Sequence, residues 1–239
     1  PYTTLFRSDH GPVTFELSDD GGEAMDFILR LKRDQMRRSG QHDVFSSPWT
    51  VNFVSALAAR GEADFGLRFA SLRAGGRLVA AELGLQSGSA YHLWFPVYDP
   101  RFAKYSPGAL MTLETLRVLA GEGVGAVDFG PAGEAYKRDF ADPGARVWEG
   151  DVTNGGWVEA ARWTADVTLR RAPRVRRIPG AMGERLDRRW GRLMACEPRL
   201  EGRVGAASHA ITIMARRRPG ASIGIGLGLG VGLYGLLAD

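Results

Sequence analysis

The chain has almost no cysteine. A single residue, Cys196, stands among 239, which excludes an internal disulfide framework and any multi-cysteine metal site and fits a reducing compartment. In the run MACEPRL it reads as an apolar packing residue rather than a nucleophile. Histidine is scarce as well, and the four present (His10, His42, His92 and His209) have no metal-ligand spacing. There is no GxSxG, no HExxH and no internal repeat. Two motif matches are empty. Asp128-Phe129-Gly130 spells a kinase triplet, but no glycine-rich loop, strand lysine or catalytic-loop aspartate precedes it. Gly230-Val231-Gly232-Leu233-Tyr234-Gly235 spells a dinucleotide fingerprint, yet the sequence gives it no helix to receive a phosphate. Metal, serine-hydrolase and kinase chemistry are set aside on these grounds.

What is present is an ordinary globular composition, 44% hydrophobic and 24% charged, with an uneven distribution of charge. Residues 1–158 hold 16 basic and 20 acidic side chains, whereas residues 159–239 hold 15 basic and 7 acidic. Two functional territories are expected from this asymmetry. Within the basic third, residues 170–192 carry nine arginines against two acids, and Met182, Leu186, Trp190 and Met194 recur at a spacing of four. That pattern reads either as a solvated helix docked through its apolar stripe or as a basic amphipathic surface for anionic lipid or RNA. The apolar run ASIGIGLGLGVGLYGLLAD follows three arginines. Its length is near that of a membrane span, but alternate glycines make it a poor helix. At the other end, PYTTLFRS shows neither an initiating Met nor a secretory pattern. It reads as a foreign scar at the front of a fragment and is excluded from the fold.

Between these ends the hydrophobic period predicts most elements. GGEAMDFILRLKRDQMRRS reads as an amphipathic helix over residues 21–39. SSPWTVNFVSALAARG reads as a second, with Ser46 or Ser47 capping, Pro48 in the first turn and Gly61 ending it. FGLRFASLRA, RLVAAELGLQ and AYHLWFPVYD alternate and are separated by Gly75-Gly76 and Ser87-Gly88-Ser89, which predicts a three-strand meander. A helix then opens at Ser106-Pro107, followed by the strand GVGAVDFG, a short helix holding Tyr136, and a last strand, ARVWEGDVT. A meander followed by a strand-helix-strand crossover implies an α/β (α+β) fold with a mixed sheet and helices on both faces.

The chemistry concentrates at the two turns of that crossover. In YSPGALMTLETLRVLAG, Ser106 can cap, Pro107 suits the first helical position, and Gly108 leaves the backbone uncovered. Free N–H groups there suit an anion such as phosphate. The end of the following strand, at 128–130, comes to the same carboxyl edge of the sheet, where ligands of open α/β sheets collect. Tyr136 and Lys137 stand just beyond it. A phenol with a pKa of about 10 can give a proton to a departing thiolate whose acid titrates at about 8.5. An adjacent ammonium can hold phosphate or steady the thiolate. Tyr136 reads equally as an amphipathic packing residue, and Lys137 as a solvated lysine.

The block from Tyr91 to Phe140 resembles the CelD/BcsL-like GNAT acetyltransferases, a family often associated with cellulose and exopolysaccharide gene clusters and distantly similar to the FemAB peptidyltransferases. Its markers are Tyr98-Asp99, then Tyr105-Ser106-Pro107-Gly108 opening a helix, then Asp128-Phe129-Gly130 with Gly133-Glu134 and Tyr136-Lys137. Similarity extends over about residues 12–155, and relatives usually carry more chain before the first helix. The resemblance implies a GNAT fold in which the strands of Tyr98 and Phe129 splay apart around an acyl-CoA arm. Ser106, Gly108 and Ala109, with Tyr98, Tyr105 and Lys137, would bind the CoA. The usual Gln/Arg-x-x-Gly-x-Gly/Ala pyrophosphate loop is replaced by the shorter Ser-Pro-Gly, so an aminoacyl-tRNA donor stays open.

The expected domains are therefore residues 12–157 as the acyltransferase, 158–220 as a basic helical extension, and 221–239 as an apolar glycine-rich tail. The expected activity is direct transfer of an acetyl or other acyl group from CoA to an amine on a sugar or related metabolite. Tyr136 would be the acid, Asp99 or Glu134 the candidate base, and no metal is involved. The protein would work in the cytoplasm or at the inner face of the membrane, reaching anionic lipid through its basic region. The alternatives are a FemAB-like transfer from tRNA and a non-catalytic module of a polysaccharide-synthesis complex.

Overall fold

The computed structural model describes residues 2–62 and 64–130, then 137, 139–142, 144, 156, 164, 189, 191–193, 195–197 and 199–217. In chain order the elements are α1 (Tyr2–His10), β1 (Val13–Ser18), α2 (Gly22–Ser39), a 3-10 turn (Val44–Ser46), α3 (Pro48–Ala58), β2 (Phe65–Ala74), β3 (Arg77–Ser87) and β4 (Ala90–Tyr98). A second 3-10 turn (Pro100–Tyr105), α4 (Pro107–Gly121), β5 (Ala126–Asp128) and, further on, α5 (Leu200–Arg217) follow. The strands form one sheet in the order β1-β2-β3-β4-β5. The first four are antiparallel neighbours, and β5 joins β4 in parallel across the α4 crossover. The mixed sheet expected from a meander plus a crossover is thus present.

Alternation on the strands sorts the helices onto two faces. Ala70, Leu72 and Ala74 of β2 share a buried cluster with Met111 of α4, Phe6 of α1, and Phe102 and Tyr105 of the second 3-10 turn. Phe69 points the other way: a Cβ on Gly21, just before α2, would lie 2.7 Å from its ring. Arg73, on that same side, pairs with Glu23 of α2 at 2.6 Å. So α1 and α4 cover one face, and the start of α2 lies on the other. The hairpin turn between β2 and β3 needs glycine for two reasons. Both Gly75 and Gly76 have positive φ (55° and 78°), and a Cβ on Gly75 would fall 2.1 Å from the carbonyl oxygen of His10.

Four departures from the sequence expectations are physical. The opening residues, excluded as a foreign scar, form α1, and Phe6 is completely buried with its ring stacked 4.5 Å from Tyr105. VTFELS, which the pattern reading passed over, is the edge strand β1. The strand expected over GVGAVDFG shrinks to three residues, because Gly123 turns the chain at a φ of 78° and its N–H bonds back to the helix at Ala120. Gly61 does not end α3, which stops at Ala58. The short helix holding Tyr136, the strand ARVWEGDVT, the stripe Met182–Met194 and the apolar tail lie outside the described residues.

The chain divides into two compact units, residues 1–35 with 48–147, and residues 36–47 with 148–239. The division assigns the end of α2 and the turn after it to the second unit. Within that second unit, Ser47 donates its hydroxyl to the carbonyl of Cys196 at 2.5 Å, Arg192 reaches Gln41 at 3.2 Å, and His209 meets the carbonyl of Arg37 at 3.3 Å. Among the described residues no helix is long and apolar enough to cross a membrane.

Candidate active site

The parallel pairing of β4 with β5 is short. It joins Ala90 to Ala126, Tyr91 to Val127 and His92 to Asp128, and no further rung follows. Strand β4 nevertheless continues to Tyr98, which leaves six residues, about 20 Å of strand, without a β5 partner among the described residues. Pro96 lies in this stretch, where its missing N–H costs no ladder bond on an open edge. The part of β4 beyond the β5 rungs is also bulged against β3: Gly84 faces Leu93 while Leu83 faces Phe95, so Trp94 is an extra residue. A bulge frees and re-aims backbone groups that a regular ladder would consume. Trp94 and Phe95 stack at 4.8 Å and give this edge an apolar surface.

At the far end of the fork stands the start of α4. Ser106 links the 3-10 turn to the helix in a left-handed conformation, φ 51° and ψ 48°, and it is the only non-glycine with positive φ among the described residues. Its side chain makes no capping hydrogen bond and is exposed. The expected Ser106 cap is therefore absent, and the hydroxyl is turned outward. Pro107 has no N–H, and by helix geometry those of Gly108 and Ala109 have no partner within the helix. Gly108 lies beside Tyr98, where a Cβ would be in ordinary contact with the ring at 3.4 Å, and Tyr98 remains 45% exposed. One lip thus carries an outward hydroxyl, two free donors, the positive end of a helix and a half-exposed aromatic ring.

The other lip carries Asp128, Gly130 and Lys137. Asp128 accepts from the Gly130 N–H at 2.7 Å and pairs with His92 Nδ1 at 2.9 Å, while Lys137 donates to the Gly130 carbonyl at 3.3 Å. Partial burial alone would raise the Asp128 carboxyl. The Gly130 N–H, the His92 ring and the Lys137 charge outweigh that and hold it below the usual carboxylate range. Lys137 is therefore not the solvated lysine of the alternative reading.

Two expected site residues belong elsewhere. Tyr105 is buried beneath α1, donates its hydroxyl to Asp9 at 2.5 Å and lies 3.0 Å from His10 Nε2. It is a core residue with no face left for CoA. Asp99, proposed as a base, caps the 3-10 turn and is gripped by Arg101 through its backbone N–H, Nε and a guanidinium nitrogen at 2.6 Å, with Arg77 at 3.8 Å. Hydrogen bonding from Arg101 depresses its carboxyl below the ordinary value despite burial. A carboxylate so held resists protonation, so its place is structural. Tyr136 and Glu134 lie outside the described residues.

The reading of motifs missed a buried pair beside the fork. Glu82 of β3 is fully buried and accepts from the Tyr91 hydroxyl at 3.0 Å. Its other oxygen and the hydroxyl of Thr115 have no hydrogen-bond partner. Burial pushes this carboxyl up to about 7 and the Tyr91 phenol well above its ordinary value. Gly84 makes the arrangement possible, because a Cβ there would fall 1.9 Å from the Tyr91 oxygen.

An open parallel fork beside a helix start is the geometry that the resemblance implied. Residues 5–138, more than half of the chain, match the family described as an acetyltransferase (GNAT) domain. The chain belongs to that family. This GNAT protein also aligns with an aminoglycoside acetyltransferase from an uncultured soil metagenomic sample, solved in complex with sisomicin (10% identity, 62% of this chain and 99% of that one, TM-score 0.40). A GNAT family acetyltransferase of Staphylococcus aureus aligns at 8% identity over 59% of this chain and 98% of that one, again with a TM-score of 0.40. No curated protein matches the chain. The protein is an acyltransferase by family, and GNAT acetyltransferases use acetyl-CoA. Its own residues fit that co-substrate: an exposed serine and free helix N–H groups suit a pyrophosphate, and the β4 edge that β5 leaves uncovered, with its aromatic bulge, suits a long amide-bearing arm. Among the described residues no cluster of His, Cys, Asp or Glu could hold a metal ion.

Proposed function

We propose that this GNAT protein transfers an acyl group directly from acyl-CoA to the amine of a sugar or related small molecule of the cell envelope or exopolysaccharide. The observation that carries the reading is the ending of β4–β5 pairing at His92 and Asp128 while β4 runs on to Tyr98 beside the start of α4. Gly108, Ala109 and Ser106 would hold the phosphates. Backbone groups of the β4 edge beyond His92, which have no β5 partner, would receive the amides of the arm and polarise the acyl carbonyl; the Pro96 carbonyl is not among them, since it accepts from Lys32 at 3.3 Å. Tyr136 would protonate the departing sulfur, with Lys137 close to the developing charge. Holding both substrates in one fork makes the attack effectively intramolecular.

The test is transfer itself. The full chain is incubated with acetyl-CoA or a long-chain acyl-CoA and with glucosamine, and products are weighed by mass spectrometry. N-acylated glucosamine supports the reading, and the preferred donor reports acyl length. Salt-sensitive binding of tRNA without any binding of CoA would replace it with a FemAB-like aminoacyl transfer. Flotation with anionic vesicles and no CoA binding would leave only a membrane-associated module.

A further inference from the structure

The sequence offers Tyr136 as the acid for the leaving sulfur but leaves the base open, and the structure demotes Asp99 from that role. The fork itself contains a better candidate. His92 and Asp128 are 36 residues apart in sequence but form the last rung of the parallel ladder, opposite one another on the sheet. Their side chains share the face away from α4: Tyr91 and Phe129, their chain neighbours, enter the core cluster that includes Leu119 of α4. Asp128 is fixed from its other side by the Gly130 N–H at 2.7 Å. Gly130, whose φ of 72° favours glycine, lies beside the ring: a Cβ there would be in ordinary contact with His92 Cε1 at 3.5 Å. The ring is thus oriented by a carboxylate, partly exposed (36% of the side chain), and placed where the two strands begin to part.

We infer that His92, oriented by Asp128, is the general base that takes the proton from the attacking acceptor nitrogen; this rests on the acyl-CoA reading above. The carboxylate accepts Nδ1–H, which fixes the tautomer and leaves Nε2 unprotonated and able to accept. As the acceptor nitrogen forms its bond to the acyl carbon, its surplus proton passes to Nε2. The acyl–sulfur bond breaks, the electron pair leaves with sulfur, and that sulfur takes its proton from the acid of the proposed function, Tyr136. Two protons move through two groups, and no other reactant is needed. Of this pair, His92 touches the reacting atoms and Asp128 is the positioning residue.

Three measurements on the full chain decide the matter. Nitrogen-15 NMR of the imidazoles, assigned by His92→Gln, should show His92 with hydrogen on Nδ1, and Asp128→Asn should erase that preference. A His92 bearing hydrogen on Nε2 overturns the assignment. Calorimetry with acetyl-CoA should give the same affinity for His92→Gln as for the parent to within about twofold; loss of binding in the parent itself would instead refute the acyl-CoA reading. CoA release from acetyl-CoA, with glucosamine or with water as acceptor, should fall by roughly 10²–10⁴-fold in His92→Gln. Added imidazole should restore part of the rate to His92→Ala. A His92→Gln rate within about threefold of the parent, or a lost rate that imidazole does not restore, overturns the proposal.

Discussion

At the scale of single residues, the account depends on how each ionisable group is housed. Glu82 is the clearest case. Its carboxyl titrates at about 7 in the folded chain, against an ordinary value of 4.5, because burial outweighs the Tyr91 hydrogen bond. Folding therefore takes up a proton between those two values. The stability linked to this group is full below about 4.5 and is lost as pH rises through about 7. The loss is on the order of 3 kcal/mol once the carboxyl is ionised. Glu82→Gln, nearly isosteric and neutral, should remove that dependence. Urea unfolding at pH 5 and pH 8 should show the parent weakening between the two while the variant changes much less. Equal slopes would mean that the carboxyl is already solvated. None of this is legible in RLVAAELGLQ, where a glutamate among alternating residues reads as an outward polar position. Only the cover of α4, with Thr115 on its inner side, makes it interior. His92 was hidden for another reason: its partner comes from a different strand, and only the in-register crossover of AYH against AVD brings them together.

At the scale of elements, the start of α4 shows how local strain and binding meet. A left-handed serine costs about 1–2 kcal/mol relative to an ordinary backbone conformation, and glycine would relieve most of it. The freer unfolded chain of glycine returns about 0.4–1 kcal/mol of that gain. Ser106→Gly should accordingly leave stability unchanged or slightly raised in urea unfolding. It should also weaken acetyl-CoA binding by about tenfold through loss of one hydroxyl contact to a charged group. Unchanged affinity would take Ser106 out of the phosphate site. Strands β2, β3 and β4 and helices α2 and α4 were legible because alternation, a 3.6-residue period and glycine turns agreed with one another at each of them. Strand β1 and helix α1 were not, because VTFELS sits next to a segment set aside as foreign. What orders that segment is tertiary contact, with Phe6 seated on Tyr105. Tyr105 was misread for the same reason: a tyrosine beside Ser-Pro-Gly in sequence is turned inward by the helix that packs over it.

At the scale of the whole molecule, the division into units has a consequence for truncation. Residues 36–47 belong with 148–239, and Ser47, Gln41 and Arg37 bond to Cys196, Arg192 and His209. A chain cut after residue 157 keeps the fork but strips that segment of its partners. It should melt several degrees lower than the full chain by calorimetry, since each kcal/mol lost shifts the midpoint by about 2–4 °C at this size. An unchanged midpoint would show the segment to be self-sufficient. The central claim is that an acyl-CoA arm lies in the fork between β4 and β5. The most direct measurement is an amide-resolved NMR titration of the full chain with acetyl-CoA. Saturable shifts are expected at Leu93–Phe95, Val97, Tyr98, Gly108, Ala109 and Phe129–Gly130. Shifts confined instead to the acidic depression of about 590 Å³ lined by Asp19, Asp20, Asp26 and Phe69, or no saturable shift at all, would contradict it.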